Sequence, residues 1–295
     1  MRDRDARDGH FEAGGSTWTD RALLALLFLI TGTVVAGYAS FGRHPELLTR
    51  FPSAAPAYGT ALRILPPLQV WGAFLILAAY LARHAGARWV PAFVAVYALS
   101  LTSELLGTGY GIPFGAYHYT PMLGAEWLGR VPVVIPLSWF SMAVASYALA
   151  RGGDSRVTAS RGPMTRILLA SLLLLCWDIA LDPAMSHATI YWVWGAHGPY
   201  YGMPWSNLVG WYVTGIVLAA VLALLGADRW LARLSPRWIA GFYAGNLLLA
   251  LGMSVAAGLW LAVVATCAAL GAAVVLIRPR AARPAAALAL EAREW

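Results

Sequence analysis

The stretch from Thr165 to Met185, TRILLASLLLLCWDIALDPAM, decides the fold. A helix rises 1.5 Å per residue, so an apolar run of about 20 residues spans the hydrocarbon core of a bilayer. Apart from Arg166 at its start, its only charges are Asp178 and Asp182. Their i,i+4 spacing places both on one helical face. A charged group inside a span costs about 2.5–3.5 kcal/mol on the insertion scale, so each of these carboxylates asks for a reason.

Five more segments of similar length lie outward from this one: Arg21 to Ser40, Leu62 to Ala82, Trp89 to Gly107, Val131 to Ala150 and Ser206 to Gly226. The final apolar stretch, Arg237 to Ile277, is about twice the length of one span and contains Gly252 and Gly258, so it reads as two helices joined by a tight turn. The expected fold is therefore an all-α, polytopic integral membrane protein with eight transmembrane helices, seven being the second choice. Residues 1–20 read as a cytoplasmic tail, 21–277 as one transmembrane domain and 278–295 as a second cytoplasmic tail. The polar N-terminal stretch is followed by no A-x-A cleavage signature and reads as a tail before a retained helix.

Composition agrees with this class. The chain is 60% hydrophobic and only 12% charged, outside the usual range of soluble domains. Its net charge of +7 comes from 21 basic residues, all arginine, that flank apolar segments instead of forming a basic face, which argues against nucleic acid as a partner. With eight spans, seventeen arginines fall on the side of the termini and four on the other, so the positive-inside rule puts both termini in the cytoplasm of a multi-pass cell-membrane protein. Cys176 and Cys267 lie in apolar runs and support neither a disulfide framework nor a zinc site.

This topology places two loops, Thr108 to Arg130 and Ser186 to Trp205, on the arginine-poor side. Both are dense in Gly, Pro and aromatics, and they share a short pattern, Tyr110-Gly-Ile-Pro-Phe114 and Tyr201-Gly-Met-Pro-Trp205. Irregular backbone survives at membrane depth only where protein buries it or it lines a cavity, so two partly re-entrant loops of similar build are expected. Glu104, near the end of the third span, points to the same half of the bilayer as Asp178 and Asp182. A carboxylic acid in an apolar site resists ionising, and one kept neutral is a proton donor suited to acid chemistry on an alkene. Each carboxylate also has a structural reading, pairing with an arginine or accepting backbone donors; Asp182, next to Pro183 at a helix end, suits it best.

Trp139, Trp192, Trp194, Trp205 and Trp211, with Tyr110, Tyr117, Tyr119, Tyr191, Tyr200 and Tyr201, crowd this side. Their π faces are able to stabilise a carbocation. An interfacial belt explains most of the tryptophans equally well. His118, His187 and His197 lack metal-ligand spacing, so no metal is expected. Asn207 reads as a helix cap or packing amide, and Asn246 as interhelical glue. No Walker loop, dinucleotide fingerprint or G-x-S-x-G elbow is present.

Taken together, the string from Glu104 through Gly107, Pro113, Gly115, Tyr117-His118 and Tyr119, then Val131-Pro132, Trp139, Trp177-Asp178, Leu181-Asp182-Pro183, Trp192-Val-Trp194 and Tyr200-Tyr201-Gly-Met-Pro204-Trp-Ser-Asn207 to Trp211 resembles the CruF family. These are membrane carotenoid hydratases, including bisanhydrobacterioruberin hydratases and γ-carotene 1′,2′-hydratases. The resemblance covers the middle third to half of the chain. It implies hydration of the terminal C1=C2 double bond of a ψ end group to a tertiary alcohol, with no organic cofactor. Protonation at C2 would be followed by a tertiary cation at C1 and its capture by water. On this reading Asp178 or Asp182 donates the proton, and Glu104 positions the water or takes up its proton. Tyr117, His118, Tyr119, Trp139, Trp192, Trp194, Tyr200, Tyr201, Asn207 and Trp211 bind the substrate. The partners implied are the carotenoid, water, the bilayer and other membrane enzymes of carotenoid synthesis.

Other readings remain open. A membrane prenyltransferase is suggested by Asp178-x-x-x-Asp182, but the only later aspartate is Asp228, in a loop. A small membrane cyclase would carry a Pro-x-Glu-Glu signature, which is missing. A lipid carrier or transporter would use the carboxylates as a proton relay.

Overall fold

The computed structural model describes residues 17–152 and 162–277. The two expected tails, apart from Thr17 to Asp20, therefore lie outside the described residues, as do Arg156 and Arg161. Ten α-helices are described: α1 (Trp18–Gly37), α2 (Glu46–Arg50), α3 (Ala54–Ala85), α4 (Val90–Tyr110), α5 (Val134–Arg151), α6 (Pro163–Ser186), α7 (Trp205–Leu224), α8 (Ala227–Leu231), α9 (Pro236–Ala257) and α10 (Trp260–Ile277). The fold is all-α and polytopic. Seven continuous helical stretches are long and apolar enough to cross a membrane, and the one over 54–110 has 57 residues. It holds two of the helices, α3 and α4, joined by a 3₁₀ turn over Gly86–Trp89. That glycine adopts φ +62°, a conformation side chains rarely permit, and ends α3. Counted separately, these make eight described helices long enough to span a bilayer. The last apolar stretch divides in the same way, at Gly258 with φ +74°.

Several boundaries differ from the sequence reading. The first helix starts at Trp18, not Arg21, because Thr17 and Asp20 form a reciprocal capping box. The helix expected over 62–82 extends from Ala54 to Ala85 and runs through Pro66 and Pro67. Its 32 residues are more than one perpendicular bilayer crossing needs.

The arginine-rich ends of the helices are tied together by two aspartates. Asp20, only 1% exposed, meets His84 Nε2 at 3.2 Å and Arg83 Nε at 3.4 Å, and its backbone carbonyl accepts the Trp238 indole N–H at 2.8 Å. This joins the start of α1, the end of α3 and the start of α9. Asp228 in α8 accepts Arg151 and Arg166, each at 2.9 Å, joining α5 to α6. The aspartate that the prenyltransferase reading would need is thus engaged in a salt bridge network far from Asp178.

α6 is the central helix, packed against α5, α7, α9 and α10. This explains why it is apolar all round instead of amphipathic: most of its surface meets protein, and the partly exposed stripe of Leu168, Leu172, Leu175 and Ile179 is apolar too. Tyr243 and Ser254 of α9 donate to the Leu173 and Ala180 carbonyls of α6, at 2.6 and 3.0 Å. Asn246 bonds within its own helix, to Phe242; its backbone carbonyl accepts the Trp177 indole N–H. The expected interhelical role therefore falls to its main chain.

The two Gly/Pro-rich loops meet. Strand β1 (Tyr117–Tyr119) pairs antiparallel with β4 (Trp192–Trp194), in the register Tyr117 with Trp194, His118 with Val193 and Tyr119 with Trp192. The main-chain contact continues through Gly195 N to Ala116 O at 2.7 Å and Thr120 N to Tyr191 O at 2.9 Å. A second short ladder, β2 (Glu126–Trp127) with β3 (Val131–Pro132), closes the first loop before α5. Pairing satisfies backbone groups that apolar surroundings would otherwise strand.

Candidate active site

Beneath the β1–β4 ladder lies a small cavity of about 40 Å³, walled by α4, α5, α6, α7 and the two loops. Glu104 enters from α4 and is 3% exposed. Its Oε2 accepts the hydroxyls of Tyr117 and Tyr119, the latter at 2.8 Å, and its Oε1 accepts the Trp139 indole N–H at 2.8 Å. A carboxylate oxygen has room for about two donors. Oε2 is thus saturated, while Oε1 has a single donor among the described residues. The approach of β1 to α4 depends on Gly107, where an added Cβ would lie 2.9 Å from the rings of Phe114 and Tyr117.

Asp178 and Asp182 enter from α6, 0% and 3% exposed. The amide nitrogen of Asn207, on α7, donates to Oδ2 of both. Sharing this one donor holds the two carboxyl groups side by side, and Trp192 lines the cavity together with Asp182. Ionised carboxylates only accept, so contact between the pair is attractive only when one carries a proton. Asp182 lines the cavity; Asp178 stands behind it. Asn207 is not the cap of α7, which begins after Pro204; it is the third residue of the helix and bridges the acids.

The remaining wall is aromatic. Trp139 stacks on Trp211 with ring centroids 3.9 Å apart, and Trp177 meets Trp211 edge-on at 5.9 Å. Tyr117 packs on Trp194 and Tyr119 on Trp192. Burial, reinforced by the neighbouring Glu104, pushes the Tyr117 and Tyr119 phenols well above their ordinary range, so both remain hydrogen-bond donors.

Of the candidate binding residues, Tyr117, Tyr119, Trp139, Trp192, Trp194, Asn207 and Trp211 line the cavity. His118, Tyr200 and Tyr201 do not. His118 is exposed because side chains alternate along β1, and the strand that turns Tyr117 and Tyr119 inward turns it outward. Tyr200 donates to the Ile179 carbonyl at 2.9 Å and packs with Met203 and Leu259. Tyr201, at φ +52°, lies beside His187. Phe114, Ile135, Ser138, Trp177 and Leu181 complete the wall, although none of them is among the expected substrate-binding residues. Trp177 and Leu181 each precede an aspartate and are spaced i,i+4, which was the available signal. Among the described residues no group of three or more His, Cys, Asp or Glu is placed to hold a metal.

A family model described as "Carotenoid biosynthesis protein" matches residues 67–273, from α3 to α10 and including every wall of this cavity. The chain belongs to the carotenoid biosynthesis protein family. The family match covers Glu104, Asp178, Asp182 and Asn207 alike. The chain is also similar to a bisanhydrobacterioruberin hydratase from Haloarcula japonica, 31% identical over 212 residues. That alignment covers 71% of this chain and 66% of the relative's length, just under two thirds. No solved structure matches.

Proposed function

We propose that this protein hydrates a carotenoid, adding water across a terminal carbon–carbon double bond to give a tertiary alcohol. The observation that carries the reading is the pairing of two buried acids, bridged by Asn207, with a separately held carboxylate across one aromatic cavity. The family match and the hydratase among its relatives support the substrate class.

In this mechanism Asp182, which lines the cavity, donates a proton to C2 of the end group, forming a C–H bond from the alkene's π electrons. The positive charge develops at the tertiary C1, where the faces of Trp139, Trp192 and Trp211 stabilise it. A water held at Glu104 Oε1 attacks C1, forms the C–O bond and releases its proton to Glu104. Proton return to the aspartate pair completes the cycle, so alkene plus water gives alcohol with no redox change. Asp178 is a positioning residue that shares the proton of Asp182. The loop ladder excludes bulk water, which protects the cation from uncontrolled capture.

The arginine distribution supports both termini facing the cytoplasm, with the cavity toward the outer leaflet. A prenyltransferase is less well supported, because a single Asn207 nitrogen bridges Asp178 and Asp182 instead of the two diverging around an open cation site.

The test is coexpression with a pathway that makes lycopene. The expected product is a pigment heavier by one water, absent with Asp182→Asn. A pigment of unchanged mass with altered absorption would indicate a cyclase, one larger by an isoprenoid unit a prenyltransferase, and unchanged pigment a carrier.

A further inference from the structure

The acid cavity is too small for the substrate proposed above. At about 40 Å³ it has room for little beyond a reacting end and a water, so the rest of a long isoprenoid chain must lie elsewhere.

The structure offers a continuation. A second cavity, of about 70 Å³, shares Ile135, Ser138, Trp177, Leu181 and Trp192 with the first, so the two have a common wall. It extends between α3, α5 and α9, and no charged side chain lines it. A third, wider groove of about 390 Å³ shares Val34, Pro66, Tyr191 and Met253 with the second. That groove runs between α1 and α3 under residues 188–190, on the arginine-poor side.

Two features suit this groove to a lipid-dissolved chain. The outer faces of the flanking helices are apolar and exposed, with Leu29 at 67% and Ile64 at 53%, as expected of surfaces that meet acyl chains. The passage also opens where α3 carries Pro66-Pro67. Proline removes a helical hydrogen bond and bends the helix, which separates it locally from its neighbours.

We propose that the isoprenoid chain enters laterally from the bilayer between α1 and α3 and threads through these three spaces to the acids, with Val34 and Met253 forming the constriction that selects long, slender chains. The proposal rests on the hydratase reading, and the chain's occupant is the unreacted length of the substrate itself.

The test uses the full chain in lipid nanodiscs and two alkenes with the same end group, a full-length carotenoid and a short isoprenoid. Val34→Trp should lower the ratio of long-chain to short-chain kcat/KM by tenfold or more, and Leu29→Ala, on the exposed outer face of α1 and outside all three spaces, should leave the ratio within about twofold of wild type. If Val34→Trp does not insert, Met253→Phe narrows the same point and carries the same expectation. An unchanged ratio, including an equal fall on both alkenes, overturns the passage and would fit a groove filled by ordinary lipid. A wild type that hydrates neither alkene overturns the hydratase reading, and the passage with it.

Discussion

The indole nitrogen of Trp139 donates to Oε1 of Glu104 at 2.8 Å, joining α5 to α4 at the wall of the acid cavity. The same ring stacks on Trp211, so one side chain both orients a carboxylate and presents a π face. Glu104→Gln should reduce hydration by about 10²–10⁴-fold, the usual range for a lost general base. Trp139→Phe keeps a ring but loses the donor, and should cost about tenfold. Both are read from alcohol formed per inserted protein; activity within twofold of wild type in Glu104→Gln would remove Glu104 from the mechanism.

Asn207 bridges the aspartates with a single amide nitrogen. Asn207→Leu should leave the protein inserted while lowering kcat by about 10- to 100-fold and displacing the pH profile, because the pair loses the donor that stabilises its charge. Asn207→Asp, which adds a third acid, should be worse still. A Leu variant that changed only KM would make Asn207 a substrate contact instead.

His118 and Tyr201 provide the contrast. Both stand outside the cavity, so His118→Ala and Tyr201→Phe should hydrate carotenoid within about twofold of wild type. A large loss in His118→Ala would mean that the β1 register differs from the one described.

The buried phenols predict an alkaline effect. Tyr117 and Tyr119 ionise above the ordinary tyrosine range when folded, so their contribution to stability is intact below about pH 10, where the unfolded tyrosines begin to ionise, and is lost as pH rises further. Melting temperature measured from pH 9 to 11.5 should fall more steeply in wild type than in a Tyr117→Phe/Tyr119→Phe double variant.

At the opposite end, Asp20 joins three helices without approaching the cavity. Asp20→Ala should destabilise by about 2 kcal/mol through lost charged hydrogen bonds, seen as a lower melting temperature in detergent. Its hydration activity per folded molecule should remain near wild type.

The spans were legible because about 20 apolar residues are a strong one-dimensional signal, and Gly258 marked the division of the last stretch. The start of α1 was misplaced by three residues because Thr17 and Asp20, polar in isolation, satisfy each other as a cap. Asp178 and Asp182 were legible as a pair from their spacing on one helix. Their bridge to Asn207, on another helix, depends on tertiary packing that spacing does not encode. Tyr117, His118 and Tyr119 looked equivalent in sequence, and only the strand formed with Trp192–Trp194 separates them. Trp177 and Leu181 belong to the motifs that carry the resemblance, but their place in the cavity wall was not legible because apolar residues in a span resemble ordinary helix packing.

The β1–β4 ladder carries a consequence for evolution of the loops. Side chains change face at every step along a strand, so a one-residue slip of β1 against β4 would swap the aromatic and imidazole faces, stranding Glu104 without its phenols. A slip of two residues would restore the pattern. The register of three residues therefore decides which ring chemistry the carboxylate meets.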